Sequence, residues 1–191
     1  MDNILKKLLK THQTVFSFKE LLIKSKSKED NLKSQLNYYI KNGDLYHIRR
    51  GLYAKNKNYN KLELAVKILT PSYVGFETVL SQAGIIFQYY SSIFVASYQS
   101  REIKCDNHVY IFRKIKSEIL TDFTGIQILN NSSIATPERA FLDILYLHKE
   151  FYFDNLEPIN WKKVYEILPI YKNKRMSNIV KKYHQEFIES Q

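Results

Sequence analysis

The chain has 191 residues, of which 45% are hydrophobic and 14% aromatic, which is enough for one or two small domains with a packed core. Its formal net charge of +10 at pH 7 favours a polyanionic partner. The low glycine and proline content argues against long disorder, and the lack of a signal peptide or a long apolar run predicts a soluble, cytoplasmic protein with no membrane partner.

Two short helices are predicted near the start of the chain. Asp2 can cap the first, from Asn3 to about Lys10, and residues 11–15 form a turn. Ser17 and Glu20 have the spacing of a capping box, which predicts a second helix from residue 18 to about residue 24. The polar residues 25–28 then connect this helix to a third one.

The third helix is amphipathic and runs from about residue 31 to residue 41. Asp30 or Asn31 can cap it, and Gly43 stands where a left-handed residue ends a helix. We expect Tyr38 to point outward and Tyr39 inward. The apolar face repeats at helical spacing and consists of Leu32, Leu36, Tyr39 and Ile40.

A hairpin follows the third helix. The period changes from 3.6 to 2 over residues 45–50, so that His47 and Arg49 share one face and alternate with Ile48 and Arg50. Gly51 allows the tight turn into a second strand over residues 52–54, which contains Tyr53. We expect His47 to be an ordinary strand residue.

A polar-faced helix and a hairpin tipped with two arginines are typical of a winged helix-turn-helix. In that motif the helix enters the major groove and the wing reaches phosphates or the minor groove. Residues 1–60 hold 13 basic and 5 acidic residues, whereas residues 61–191 hold 16 and 14, so the positive excess lies on the proposed DNA-binding segment. A plain surface helix and hairpin with solvated charges is the alternative.

Nine side chains are predicted to contact DNA. Lysine and arginine can bond to guanine or phosphate, and asparagine can pair with an adenine edge. Cations beside a helix start favour phosphate, and arginines on a wing can reach a narrow minor groove. The predicted contacts are Lys26, Lys28, Lys33, Ser34, Asn37, Tyr38, Lys41, Arg49 and Arg50. For each one, a solvated surface side chain is the alternative.

The remaining elements predict an α+β architecture, with a DNA-binding domain over residues 1–57 and a second domain over residues 61–191. Asn60 can cap a helix over residues 62–69, and another helix is predicted over residues 74–83. Strands over residues 93–98, 102–105, 108–115 and 126–129 predict a small antiparallel sheet. Helices are predicted over residues 137–145, 161–168 and 174–188.

The helix that begins at Pro137 has strong local signals. Thr136 is its N-cap and proline occupies the first helical position. Arg139 and Asp143 are four residues apart and can pair, and Glu138 complements the helix dipole. We interpret these residues as a structural helix start that joins the sheet to the C-terminal helices, with a catalytic role as the alternative.

Two stretches together resemble the AbiEi family, the antitoxins of type IV toxin–antitoxin and phage-defence systems. The first runs from Ile40 to Ala54 and contains Arg-Gly-Leu-Tyr; the second runs from Ile134 to Asp143 and contains Ala-Thr-Pro-Glu-Arg-Ala. Between them, the segment from Pro71 to Gly84 is similar to the helix that opens that family's second domain. The residues assigned to the structural motif are Gly43, Gly51, Tyr53, Thr136, Pro137, Glu138, Arg139 and Asp143.

The resemblance implies a transcriptional repressor that binds inverted repeats of double-stranded DNA in its own promoter. It also implies a C-terminal domain that counteracts a nucleotidyltransferase-like toxin without forming a stable complex with it. We therefore expect no catalysis and no cofactor.

Other functions stay open at this point. The five histidines show no metal-ligand spacing and there is no glycine-rich phosphate loop, so we expect no metal site, and Cys105 is expected to fill apolar space. Glu102 and Lys104 form half of a nuclease-like metal site, which makes a small metal-dependent nuclease one alternative. A winged-helix regulator unrelated to toxins and a protein-interaction module with a vestigial winged helix are the others.

Overall fold

The structure, a computed structural model, describes residues 4–189 and is a mixed α+β fold with two sheets. The cap predicted at Asp2 and the helix start predicted at Asn3 lie outside the described residues. Within residues 4–189, no helix has the length and apolar character needed to cross a membrane.

The N-terminal segment contains a three-stranded antiparallel sheet and three helices. Its elements are α1 (Ile4–Leu9), β1 (Val15–Ser17), α2 (Phe18–Ser25), α3 (Glu29–Lys41), β2 (Tyr46–Arg49) and β3 (Leu52–Ala54). The strand order is β1-β3-β2, so that β3 lies between its hairpin partner and the first strand. The sequence did not predict β1, because its three residues become a strand only by pairing with residues 52–54.

The caps predicted for two of these helices have different outcomes in the structure. The capping box of α2 is confirmed: the Glu20 N–H donates to Ser17 Oγ at 3.2 Å, and the Ser17 N–H donates to Glu20 Oε2 at 2.8 Å. The cap predicted for α3 is wrong, because the helix begins at Glu29 and its N-cap, Lys28, makes no side-chain cap hydrogen bond. Gly43 and Gly51 have φ values of 78° and 74°, the left-handed backbone that their turns require.

The second part of the chain contains a six-stranded sheet and further helices. Its elements are α4 (Lys61–Ile68), β4 (Ser72–Val74), α5 (Phe76–Gln82), β5 (Ile93–Ser97), β6 (Arg101–Cys105), β7 (His108–Lys114), α6 (Ser117–Leu120), β8 (Ile126–Leu129), β9 (Ser132–Ala135), α7 (Pro137–Leu147), α8 (Trp161–Ile167), a 3-10 helix (Leu168–Tyr171) and α9 (Lys174–Glu189). The N-caps predicted at Asn60 and Thr136 are confirmed.

The six-stranded sheet corrects two predictions. Its order is β6-β7-β5-β4-β9-β8, and because β5 pairs parallel with β7 and β4 pairs parallel with β9, the sheet is mixed rather than antiparallel. The helix predicted over residues 74–83 begins two residues later, since residues 72–74 form β4. The short elements β4, β9 and α6 were not predicted, because their identity depends on partners distant in the chain.

The buried apolar residues form two clusters. The smaller lies within the N-terminal segment and consists of Leu8, Phe16, Leu21, Leu32, Leu36 and Leu45. The larger fills the second part of the chain, but it also includes Val15, Ile48, Leu52 and Ala54 from the N-terminal sheet. The alternation of strand side chains therefore turns one face of that sheet to each core.

Polar contacts join the same two parts. Glu63, fully buried in α4, accepts hydrogen bonds from the Thr14 N–H at 2.8 Å and the Thr14 hydroxyl at 2.6 Å. Lys67 pairs with Glu20 of the capping box at 2.7 Å. The N-terminal segment thus rests on α4 through both apolar and charged contacts.

Candidate nucleic-acid interface

The connection between α2 and α3 is a three-residue turn that exposes two lysines. Lys26 adopts a left-handed conformation with φ 53° and ends α2, and the Ser27 N–H donates to Ser25 Oγ at 3.2 Å. Lys26 and Lys28 are both exposed. The structure therefore places these two predicted residues beside the first turn of α3, as the sequence indicated.

One face of α3 is exposed and carries five predicted contacts. Residues three and four apart on a helix lie on the same side, so these positions form one stripe opposite the buried Leu32 and Leu36. Tyr38 is 62% exposed whereas Tyr39 packs against the smaller core, which confirms the orientations predicted for the pair. The exposed predicted residues of the stripe are Lys33, Ser34, Asn37, Tyr38 and Lys41.

Two acidic residues lie in the first turn of α3 and form ion pairs with a lysine of the same helix. Lys33 Nζ lies 2.7 Å from Glu29 Oε1 and 3.8 Å from Asp30 Oδ1. The hydrogen bond with Glu29 raises the pKa of Lys33, so the ammonium stays charged. The Ser34 hydroxyl is also engaged, donating to the Asp30 carbonyl at 3.0 Å. To bind a phosphate, Lys33 would first have to release its ion pair with Glu29.

A β-bulge in β2 overturns the simple alternation predicted for the hairpin. Tyr46 pairs with Ala54 and His47 with Tyr53, but the register then shifts so that Arg49 pairs with Leu52. Residues paired across an antiparallel sheet point to the same face, so the extra residue, Ile48, transfers Arg49 to the face of Tyr46. Arg49 does not share the face of His47.

The two hairpin arginines consequently have different surroundings. Arg49 is half-buried, and its charge acts to lower the pKa of Cys105 in β6, although burial raises that pKa overall. Arg50 occupies the turn before Gly51 and is exposed. The turn between β2 and β3 is only two residues long. Of the two arginines, only Arg50 is fully presented to solvent.

The predicted structural motif at the start of α7 forms a buried hydrogen-bonded network. Arg139 and Asp143 are fully buried, and Arg139 Nε lies 3.3 Å from Asp143 Oδ1, which confirms the predicted pair. The remaining guanidinium N–H groups reach the carbonyls of Ile119 at 2.7 Å, Asp122 at 3.2 Å and Thr124 at 2.7 Å, and the Tyr73 hydroxyl at 3.1 Å.

The aspartate of this network is satisfied from two further elements. The Tyr73 hydroxyl donates to Asp143 Oδ2 at 2.8 Å and the Tyr171 hydroxyl donates to Asp143 Oδ1 at 2.7 Å. Burial raises the pKa of Asp143, and the neighbouring Arg139 opposes that rise. The side chains of Tyr73, Arg139, Asp143 and Tyr171 are all buried, so the network joins β4, α7 and the 3-10 helix inside the fold and reaches the segment after β7 through main-chain carbonyls.

The adjacent Glu138 is also mostly enclosed. It is 4% exposed, and its Oε1 accepts a hydrogen bond from the Asn160 N–H at 3.3 Å. Within the described residues its second oxygen, Oε2, has no hydrogen-bond partner.

The nuclease alternative rests on two exposed residues of β6. Glu102 and Lys104 lie two residues apart and approach each other to 3.8 Å. Among residues 4–189, no group of three or more His, Cys, Asp or Glu side chains is arranged to hold a metal ion.

Several residues that link the two parts of the chain could not be predicted from the sequence. Asp106, at the tip of the β6–β7 hairpin, accepts hydrogen bonds from the Tyr46 hydroxyl at 3.0 Å and the Tyr59 hydroxyl at 2.7 Å. Asp106 lies between the strands predicted over residues 102–105 and 108–115, but no local pattern relates it to tyrosines 60 and 47 residues before it. Tyr59 itself is buried, although it lies between the two domains predicted over residues 1–57 and 61–191.

Comparison with known proteins assigns no family to the chain. No family model matches the chain, and no curated protein is significantly similar to it.

Proposed function

We propose that the chain is a DNA-binding transcriptional repressor whose N-terminal segment acts as a winged helix-turn-helix. The observation that carries this proposal is the exposed stripe of α3, which presents Asn37, Tyr38 and Lys41 together on a helix preceded by a short turn and followed by a hairpin. A helix of 13 residues with one buried and one polar face has the dimensions of a helix that enters a major groove.

The order of elements supports the same assignment. Two helices joined by a turn precede a hairpin, and a strand before them pairs with the hairpin's second strand. Lys26 and Lys28 immediately precede α3 and Arg50 lies in the turn of the hairpin that follows it; all three are exposed and available to contact phosphates. The charge of the first 60 residues, 13 basic against 5 acidic, supports a polyanion as the ligand.

The target that we propose is an inverted repeat in the promoter of the protein's own gene, with an antitoxin role towards a nucleotidyltransferase-like toxin. This part rests on the two motifs that resemble AbiEi antitoxins. In this proposal the buried Arg139–Asp143 network holds the second unit together and has no catalytic role.

The direct test is binding of purified protein to labelled DNA from upstream of its own gene. Asn37→Ala should weaken specific binding by about 1–3 kcal/mol and leave binding to unrelated DNA nearly unchanged, because a base contact is lost. Arg50→Ala should weaken binding to all sequences and reduce the slope of log affinity against log salt by about 1. Lys163→Ala, an exposed cation of α8, is the matched control for charge.

A charge-removing substitution gives a result in the opposite direction. Glu29→Gln removes the carboxylate that holds Lys33 at 2.7 Å and that would lie near a phosphate, so it should tighten binding to DNA. The proposal fails if the wild-type protein does not retard the DNA, or if Lys163→Ala weakens binding as much as Asn37→Ala.

The antitoxin role is tested separately by expressing the neighbouring gene with and without this chain. Growth arrest by the neighbour that this chain relieves supports the antitoxin role. DNA binding without any relief of toxicity supports instead a winged-helix regulator unrelated to toxins.

A further inference from the structure

The six-stranded sheet ends at β8 with an open edge. The strand order places β8 at one end and β6 at the other, and no described segment pairs with the outer side of β8. An edge strand presents unpaired N–H and carbonyl groups, which are a template for another strand.

The register of the β8–β9 hairpin shows which main-chain groups point outward. Asn130 and Asn131 form a two-residue turn with positive φ values of 47° and 62°, and further along the hairpin the Thr136 N–H donates to the Gly125 carbonyl at 2.8 Å. Hydrogen-bonded and non-bonded pairs alternate along an antiparallel hairpin, so Ile126 and Ile128 direct their main-chain groups away from β9.

Ile128 is the better placed of these two residues. The Ile126 N–H already donates to the Phe123 carbonyl at 2.9 Å, whereas Ile128 sits in the middle of the free edge with both its N–H and its carbonyl directed outward. Its side chain is 78% exposed, and the nearby side chains of Phe123 and Leu129 are 77% and 47% exposed. Three large apolar side chains thus lie exposed within seven residues of sequence, beside a free strand edge.

The charge distribution distinguishes the two edges of the sheet. The twelve residues from Phe123 to Ile134 contain no charged residue in a chain of net charge +10, whereas β6 exposes Arg101, Glu102 and Lys104. Charged side chains on an edge strand prevent pairing with other strands. When a strand pairs antiparallel with its own copy, only the residue on the two-fold axis lies opposite itself, and the other residues pair crosswise. Because β8 and the residues around it carry no charge, two copies of this chain of net charge +10 can pair here without like-charge contacts along the strand.

We propose that β8 is the contact between two copies of this chain, which pair through antiparallel β8 strands about a two-fold axis close to Ile128. The two Ile128 residues exchange two main-chain hydrogen bonds, and the two sheets become one continuous sheet. Such a dimer also presents two α3 helices related by two-fold symmetry, which is the symmetry of an inverted repeat; that consequence alone rests on the proposed function.

Sedimentation velocity of the whole chain, without DNA, tests the contact. The wild-type protein should sediment with the mass of two chains, and Ile128→Lys should halve that mass because two ammonium groups would face each other across the axis. Ile188→Lys, at a 55% exposed isoleucine of α9, is the matched control and should remain dimeric. Circular dichroism establishes that each variant is folded.

A mixture of two variants makes the test specific to self-pairing. Ile128→Lys and Ile128→Glu should each be monomeric alone and should form a mixed dimer when combined, since opposite charges then face each other. A monomeric wild-type protein, a dimer unaffected by Ile128→Lys, or a mixture that stays monomeric would each overturn the proposal. Asn37→Ala should remain dimeric, so a failure of DNA binding is distinguishable from a failure of this contact.

Discussion

Replacement of Arg139 by methionine should destabilise the protein severely. Arg139 is fully buried, and its five hydrogen bonds reach Asp143, Tyr73 and three main-chain carbonyls. Methionine fills a similar volume without donors, so the carboxylate of Asp143 loses its charge partner and the carbonyls lose theirs. Breaking a buried pair from one side costs about 3–5 kcal/mol, which is a large part of the roughly 5–15 kcal/mol that stabilises a typical domain.

Equilibrium unfolding in urea, monitored by circular dichroism, measures this loss. Arg139→Lys keeps the charge but has only three donors in place of five, so its cost should lie between zero and that of methionine. The double variant Arg139→Met with Asp143→Leu should recover part of the loss, because the uncompensated buried carboxylate is gone. The reasoning is refuted if Arg139→Met costs less than about 1 kcal/mol, the upper end of the usual range for an exposed ion pair.

Three further changes test other contacts. Glu20 has a pKa lowered by Lys67 and the Ser17 N–H against an opposing effect of burial, so its stabilising effect is present at neutral pH and is lost as pH falls through that lowered pKa. Urea unfolding should therefore show a difference between wild type and Glu20→Gln that shrinks on acidification; a constant difference would contradict this. Gly125→Ala should destabilise the fold, because Gly125 has φ 75° and an added Cβ would lie 2.8 Å from Ile167 Cδ1; an unchanged melting temperature would contradict this. Tyr59→Phe removes the 2.7 Å hydrogen bond to Asp106 and should cost about 1 kcal/mol in the same unfolding measurement, with a cost near zero as the contrary result.

Features with a local cause were predictable from the sequence. The Ser17–Glu20 capping box, the caps at Asn60 and Thr136 and the left-handed Gly43 all depend on residues within three or four positions of one another. The buried and exposed faces of α3 follow equally from helical spacing. A single sequence carries this information directly.

Features defined by distant pairing were not predictable in the same way. The strands β1, β4 and β9 have three or four residues each, too few to show a period, and their identity depends on partners elsewhere in the chain. The parallel pairs of the six-stranded sheet escaped prediction for the same reason.

Within the candidate interface, the bulge at Ile48 caused the largest difference between the predicted and the observed side-chain positions. Strict alternation placed Arg49 with His47, but one additional residue moves its side chain to the opposite face. The sequence offered no glycine or other marker inside β2 from which the bulge could have been inferred. Likewise, Arg139 and Asp143 were recognisable as a pair, but their tyrosine partners at residues 73 and 171 were not.

The sharing of Val15, Leu52 and Ala54 with the larger core has a practical consequence. In a fragment of residues 1–57 alone, one face of the three-stranded sheet would lose its contact with the larger core, and these apolar residues would be exposed to solvent. Such a fragment should aggregate even if its helices remain folded. The proposed binding to DNA should therefore be measured on the whole chain.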